Sequence, residues 1–277
     1  MNWKKIIFVT LIILAVIGGT AAIVLYPVYR FMYQESTLAV DKDLAIILGG
    51  GGNSGILVTD SAVVVIDTKM GGSAEKLYNL AKSKAGGKKI IVINTHYHGD
   101  HVNGNKFYKG CDIYIGAYDQ KFLLEDMGPE NMPNHFVRDS LILSLGNETL
   151  CLYDLGQAHT MYDMVVLLKN HQVLFTGDLI FNKVNPFLKR ASGADVSKWT
   201  GALDRLLKMP GYGMVVPGHG QTGDRSMIVS MRDYFLDMMA AAADPAREKA
   251  LIAKYKNWTQ LPMMTSPAAT IDYIRKP

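Results

Sequence analysis

The chain has 277 residues, 49% of them hydrophobic and 19% charged, enough to bury one large core or two modest ones. Its formal charge of +4 is misleading: residues 1–30 hold Lys4, Lys5 and Arg30 and no acid, so the remainder carries 26 basic against 25 acidic residues. A near-neutral body excludes a general nucleic-acid surface, and Cys111 and Cys151 are too few and too far apart for a disulfide scaffold or a cysteine-rich zinc module.

The N-terminus differs in kind from the rest. After Lys4 and Lys5 comes the uncharged run "IIFVTLIILAVIGGTAAIVLY", Ile6 to Tyr26, long enough at helical rise to cross a hydrocarbon core of about 30 Å. The competing reading is a cleavable signal peptide, with "GGTAA" as the small-residue stretch. Apolar character resumes at Ile23, Val24 and Leu25, which favours a retained transmembrane helix. Either way the lysines precede the span, so residues 1–30 are expected to be an anchor or signal peptide. Residues 31–277 are then expected to form an extracytoplasmic domain, periplasmic or extracellular.

From Asp43 the pattern is short strands broken by turns: "DLAIILGGGGNSGILVTDSAVVVIDT" reads as strand, glycine-rich turn, strand, Asp-Ser turn, strand. Gly50, Gly52 and Gly55 fit G-x-G-x-x-G, but that dinucleotide fingerprint needs a helix to open from the glycines, and β-branched residues follow instead. A flexible hairpin is the expectation there. "GSAEKLYNLAKSKAG", Gly72 to Gly86, is a helix with Leu77, Leu80 and Ala81 on a narrow apolar face. "KKIIVINT" is a buried strand running into "HYHGDHVNGN". Later come "LCLYDLGQAHT", the hairpin "MVVLLKNHQVLFTGD", a helix from about Asp195 to Met209, "YGMVVPGHG" and a mostly helical remainder from Asp224. Strands and helices alternate as in a layered α/β or α+β domain.

Four strand-like runs each end in a potential metal ligand: His96, His159, Asp178 and His219. His96 and His98 are two apart in an extended loop and point the same way, so both can grip one ion. Asp100 and His101 form a diverging second pair. The economical assignment puts His96, His98 and His159 on one metal and Asp100, His101 and His219 on a second, with Asp178 bridging. His135 and His171 are expected to be structural or solvated. The donors are all nitrogen or oxygen, which suits zinc first, with iron or manganese possible. Two such cations would acidify a shared water and polarise a scissile carbonyl or phosphoryl oxygen, and Asp100 is the expected catalytic proton acceptor.

"THYHGDHVNGN", "GQAHT", "FTGDLIF" and "VPGHG", in that order between about Leu44 and Gly223, resemble the metallo-β-lactamase fold superfamily of metallohydrolases. The resemblance implies a four-layer αββα sandwich of α+β class, with a dinuclear site on one rim and Asp67 behind the ligands. Asp178 stands where zinc-thiolate β-lactamases carry a cysteine, so it is closer to the bridging aspartate of the glyoxalase II-like and lactonase-like branches. Persulfide dioxygenases share the early histidine motif but use one iron through part of the set. The expected protein is therefore a dinuclear, zinc-dependent hydrolase of ester, thioester or lactone-like bonds in a small-molecule substrate. A mononuclear iron oxygenase and a non-catalytic metal-binding domain are the alternatives. Phe181, Phe187, Lys189 and Arg190 in "LIFNKVNPFLKRASGAD" are candidates for the pocket lip, and Tyr212 for an oxyanion donor.

Overall fold

Runs of β-branched residues five or six long, punctuated by glycine and aspartate, build two sheets in the computed structural model, which describes residues 25–26, 28–30, 33–260 and 265–276. The first sheet takes seven strands in chain order: β1 (Glu35–Ala39), β2 (Leu44–Gly49), β3 (Ser54–Val58), β4 (Ala62–Ile66), β5 (Lys89–Ile93), β6 (Asp112–Gly116) and β7 (His135–Val137). The second has β8 (Ser140–Ser144), β9 (Thr149–Asp154), β10 (Met164–Leu168), β11 (Val173–Phe181) and β12 (Met214–His219), arranged β12-β11-β10-β9-β8. After β1, the helices among the described residues are α1 (Gly71–Ala85), α2 (Gly99–Val102), α3 (Gln120–Met127), α4 (Val196–Lys208), α5 (Ser226–Ala243), α6 (Glu248–Lys254) and α7 (Pro267–Arg275).

Strand periodicity divides each sheet between two cores. Val64, Ile66, Ile91 and Ile93 meet Leu150, Leu152, Val166 and Phe175 of the other sheet, while Val63, Val65 and Val92 pack with Leu77 and Ala81 of α1. On the second sheet Val165, Leu167 and Leu174 pack instead with Trp199 and Leu203 of α4 and Phe235 of α5. Both helix ends that matter here are capped. Asp195 accepts from the Lys198 amide at 3.0 Å to start α4, and Gly86, at φ 54°, ends α1.

Two expectations are corrected. An α+β sandwich preceded by a transmembrane helix gives way to a mixed α/β fold with two sheets. Strands β4 to β7 run parallel, as do β11 and β12, because helical segments such as α1 and α4 cross between them. The anchor and the extracytoplasmic placement drawn from it are also not supported. Among the described residues no helix is long and apolar enough to cross a membrane, and residues 6–24 of the expected span lie outside those described. Cys111 and Cys151 are not bridged; the first is half-buried and the second buried.

Candidate metal centre

The loop Asn94–His98 leaves the end of β5, and its alternation separates two jobs. His96 and His98 face one way, whereas Tyr97, buried, packs edge-on against Tyr118 and Phe122. A single turn, α2, then carries Asp100 and His101. Behind the loop, Asn94 Nδ2 donates to the His101 carbonyl at 3.1 Å, Asn105 Nδ2 to Asn94 Oδ1 at 2.8 Å, and Thr68 Oγ1 to Asn105 Oδ1 at 2.9 Å. The asparagines flanking the histidines therefore fold the loop.

The remaining ligand candidates come from the second sheet. His159 lies in the β9–β10 connection and His219 is the last residue of β12. Asp178 sits in β11 where the register against β12 slips around Gly177, a bulge that re-aims its carboxylate. Only glycine fits opposite it, since a Cβ at Gly218 would lie 2.0 Å from Asp178 Oδ1.

These side chains form two groups, His96, His98, His159 and Asp178 in one and Asp100, His101 and His219 in the other, each with its ligand atoms within 4.8 Å of one another. The Asp178 carboxylate faces both. Oδ2 lies 3.7 Å from His96 Nε2 and 3.2 Å from His159 Nε2, and Oδ1 lies 3.1 Å from His101 Nε2 and 3.2 Å from His219 Nε2. Asp100 Oδ2 lies 3.3 Å from His219 Nε2 and 3.6 Å from His101 Nε2. In the first group His98 Nδ1 approaches His159 Nε2 to 2.9 Å.

The donor set fits a cation. His96 Nε2, His101 Nε2 and Asp178 Oδ1 are buried without a hydrogen-bond partner, and buried polar atoms are rarely left so. Burial, then the neighbouring His101, holds the His96 pKa well below the usual imidazole range, and burial, then His159, does the same for His98. Both shifts favour the neutral ring, the form a metal needs. Burial also opposes charge on His101 and Asp178, but the mutual attraction wins. Asp178, Asp100 and Asp67 raise the His101 pKa well above its usual value, while His219, His101 and His96 hold Asp178 well below the carboxylate range.

Orienting contacts complete the site. Asp67 takes the Thr95 amide on Oδ1 and, on Oδ2, the Thr95 hydroxyl and His101 Nδ1, each at 2.8 Å, which turns His101 Nε2 inward. Ser192 Oγ lies 3.0 Å from His98 Nε2. Thr160 donates from its amide and hydroxyl to the buried Asp163, whose carboxyl burial pushes up to about 6.

The sequence-derived lip and donor residues fare unevenly. Phe181 is buried and stacks on His219 at 5.0 Å, 5.7 Å from His159. Phe187 is half-buried against the helical core, and Lys189 is exposed but close enough to His98 to oppose its protonation. Arg190 instead donates to the Tyr273 carbonyl and lies 4.2 Å over the Tyr273 ring, held by α7. Tyr212 donates to the Leu206 carbonyl at 2.6 Å under Arg225, so its proton is committed within the α4–β12 turn. His135 and His171 pair with Asp112 and with Glu148 and Asp41, outside either group.

Sequence reasoning missed three features. A cleft of about 340 Å³ opens beside His219, walled by Arg30, Gln34, Glu35, Asn53, Val184 and Thr259, most of them distant from the expected lip. Ser192 was one of many loop serines. Lys69, two residues after Asp67, is fully buried, and burial pulls its pKa down to about 8 against the charges of Glu35, Asp100 and Asp67.

A metal-dependent hydrolase is the class that this sheet architecture and clustered donor set define. Residues 47–123 and 152–219, which include all seven ligand candidates, match the Metallo-beta-lactamase superfamily. A Metallo-beta-lactamase type 2 of Bacteroides fragilis is 31% identical over 192 residues, 67% of this chain and 76% of that protein. One of Bacillus cereus is 27% identical over 183 residues, 65% and 72% of the two chains. The solved metallo-beta-lactamase from Pontibacter korlensis shares the fold, with a TM-score of 0.65 at 23% identity over 73% of this chain and 99% of its own. The chain belongs to the metallo-beta-lactamase superfamily and is a metallohydrolase of it.

Proposed function

We propose that this metallohydrolase works with two divalent cations, zinc first and iron or manganese as alternatives, and cleaves ester, thioester or lactone bonds of a small-molecule substrate. The observation that carries the reading is the divided carboxylate of Asp178, with Oδ2 turned to His96 and His159 and Oδ1 to His101 and His219. One cation would leave one of those oxygens buried and unmatched. His96, His98 and His159 would hold one ion, Asp100, His101 and His219 the other, and Asp178 both.

Bound there, the ions supply Lewis acidity and a water acidic enough to act as a nucleophile near neutral pH. Protein groups do the rest. Asp100, with 22% of its side chain exposed against 5% or less for His101, His219 and Asp178, is the ligand that can exchange a proton with solvent. Asp67 and Ser192 fix the rings of His101 and His98. The cleft beside His219 is the place for the substrate to enter, while Phe181 stacks behind His219 and Lys189 stands near His98.

A second reading, hydrolysis of the β-lactam amide, is favoured by the names of the Bacteroides fragilis and Bacillus cereus relatives. Asp178 in place of a thiolate argues against that chemistry of the zinc-thiolate type. Zinc titration of metal-free protein, plasma emission and a panel of ester, thioester, lactone and β-lactam substrates test both. Two equivalents in the wild type, one in a folded Asp100→Ala, and a turnover loss of about 10²-fold in that variant are expected. A wild type saturating at one equivalent overturns the two-cation reading, and turnover of β-lactams alone would replace the substrate class.

A further inference from the structure

The glycine-rich turn between β2 and β3 is bolted at both ends, and its bolts bear on one ligand group only. Lys69 is fully buried, and its Nζ donates to the carbonyls of Ile47 at 3.1 Å, Gly52 at 2.7 Å and Gly49, so all three ammonium donors are used. Its backbone stands at φ 60°, a region a lysine occupies only where its surroundings over-determine it. From the other side Asn53 Nδ2 donates to the carbonyls of Pro217 at 2.8 Å and Gly220 at 2.9 Å, while its Oδ1 takes the Gly49 amide at 2.9 Å. That anchor grips the two residues flanking Gly218 and His219.

Between the anchors the turn lies directly on the second ligand group. A Cβ at Gly51 would meet Asp100 Cβ at 3.0 Å, and one at Gly52 would lie 2.5 Å from His101 Cε1 and 2.6 Å from its Nε2. Asp100, His101 and the strand end carrying His219 are all touched. None of His96, His98 and His159 is among the nearest neighbours of these glycines.

We propose that Lys69 is a positioning residue for the second cation. Its ammonium holds residues 49–53 down on Asp100, His101 and the His219 strand end, so that these three keep a common ligating arrangement. The first group, built from the other side of Asp178, does not depend on it. The inference rests on the two-cation reading given above. It also assigns a cause to Gly51 and Gly52, since a side chain at either would occupy space that Asp100 and His101 fill.

Lys69→Met, Lys69→Gln and Gly52→Ala in the full chain test it. Zinc is titrated into metal-free protein against a chromophoric chelator, with circular dichroism and thermal melting on the same samples. The first equivalent should bind within twofold of wild type and the second tenfold or more weakly, with native-like spectra. Equal weakening of both equivalents, or an unchanged second equivalent, overturns the role of Lys69. If neither of these Lys69 variants folds, Lys69→Arg decides, because it keeps a buried cation while its planar fork cannot meet the three carbonyls from one point. The second equivalent should then weaken and the first should not. Gly52→Ala is the control in which His101 is displaced with the lysine intact. Two equivalents in the wild type, and the second bound at wild-type affinity in every variant, sink this inference alone. A single equivalent in the wild type sinks the two-cation reading and this inference with it.

Discussion

Two constellations of histidine and carboxylate stand at opposite ends of β11, and they are built on opposite principles. At its start, in the β8–β9 and β10–β11 turns, the buried Glu148 accepts from the amides of Thr149 at 2.7 Å, Asn170 at 2.8 Å and His171 at 3.2 Å, and also pairs with His171 Nδ1. His171 Nε2 meets Asp41 at 3.1 Å. Every polar atom there has a protein partner. Six residues into the strand, Asp178 lies among four imidazoles, yet its Oδ1 and the Nε2 atoms of His96 and His101 lack hydrogen-bond partners. A satisfied cluster ties turns together, and a cluster with orphaned donors and acceptors is completed by something from outside. Residue type does not separate the two; the state of the hydrogen bonds does.

The comparison breaks most forcefully at Asp178. Asp178→Ala takes an oxygen from both ligand groups and leaves the raised His101 without its first counter-charge, so both zinc equivalents should weaken and turnover should fall by about 10³-fold or more. Zinc titration with substrate turnover on the same preparation measures it. Two equivalents at wild-type affinity would mean that Asp178 is as structural as Glu148.

The satisfied cluster should answer in stability instead. Glu148→Ala strands three backbone amides, at about 1 kcal/mol each, so urea unfolding of metal-free protein should show a loss of roughly 2–4 kcal/mol. Both zinc equivalents should remain in the folded fraction. Loss of zinc from a fully folded Glu148→Ala would erase the distinction between the two ends of the strand.

How far each end could be read from sequence follows from how each is assembled. The clustering of the candidate ligands was legible because they close hydrophobic runs: His96 after β5, Asp178 within "FTGD", His219 after "MVVPG". Periodicity locates such strand ends without tertiary knowledge. The helices at Gly71–Ala85 and Val196–Lys208 were legible for the same reason, to within a residue or two. Lys69 was not, because a lysine after a strand reads as a solvated charge. Its burial depends on the Ile47, Gly49 and Gly52 carbonyls, which only the folded turn brings to it. Tyr212 was misjudged by the same limit, since seven residues before a ligand says nothing about a hydroxyl already given to Leu206. The parallel half of the first sheet also escaped: β4 and β5 pair across a helix, and strand direction is set by packing that no local pattern records.

The smallest expected effect sharpens the comparison at its outer edge, where Asp41 is 44% exposed. Slight burial works to raise its carboxyl pKa, but the amides of Asp43 and Leu44, each at 2.8 Å, and then His171 outweigh it, so the net displacement is downward. A carboxylate depressed in the folded state contributes stability above its unfolded pKa of about 3.9, and that contribution is lost as pH falls through the lower folded value. Asp41→Asn should therefore cost a few tenths of a kcal/mol at pH 6, the scale of an exposed pair, and nothing measurable near pH 2. Urea midpoints of metal-free wild type and variant at the two pH values give the gap. The gap should also shrink in high salt, because solvent reaches this pair, whereas salt should leave the Glu148→Ala loss almost unchanged. A gap that widens on acidification would mean that the neutral acid is the form the fold prefers at Asp41, and His171 would then be held by Glu148 alone.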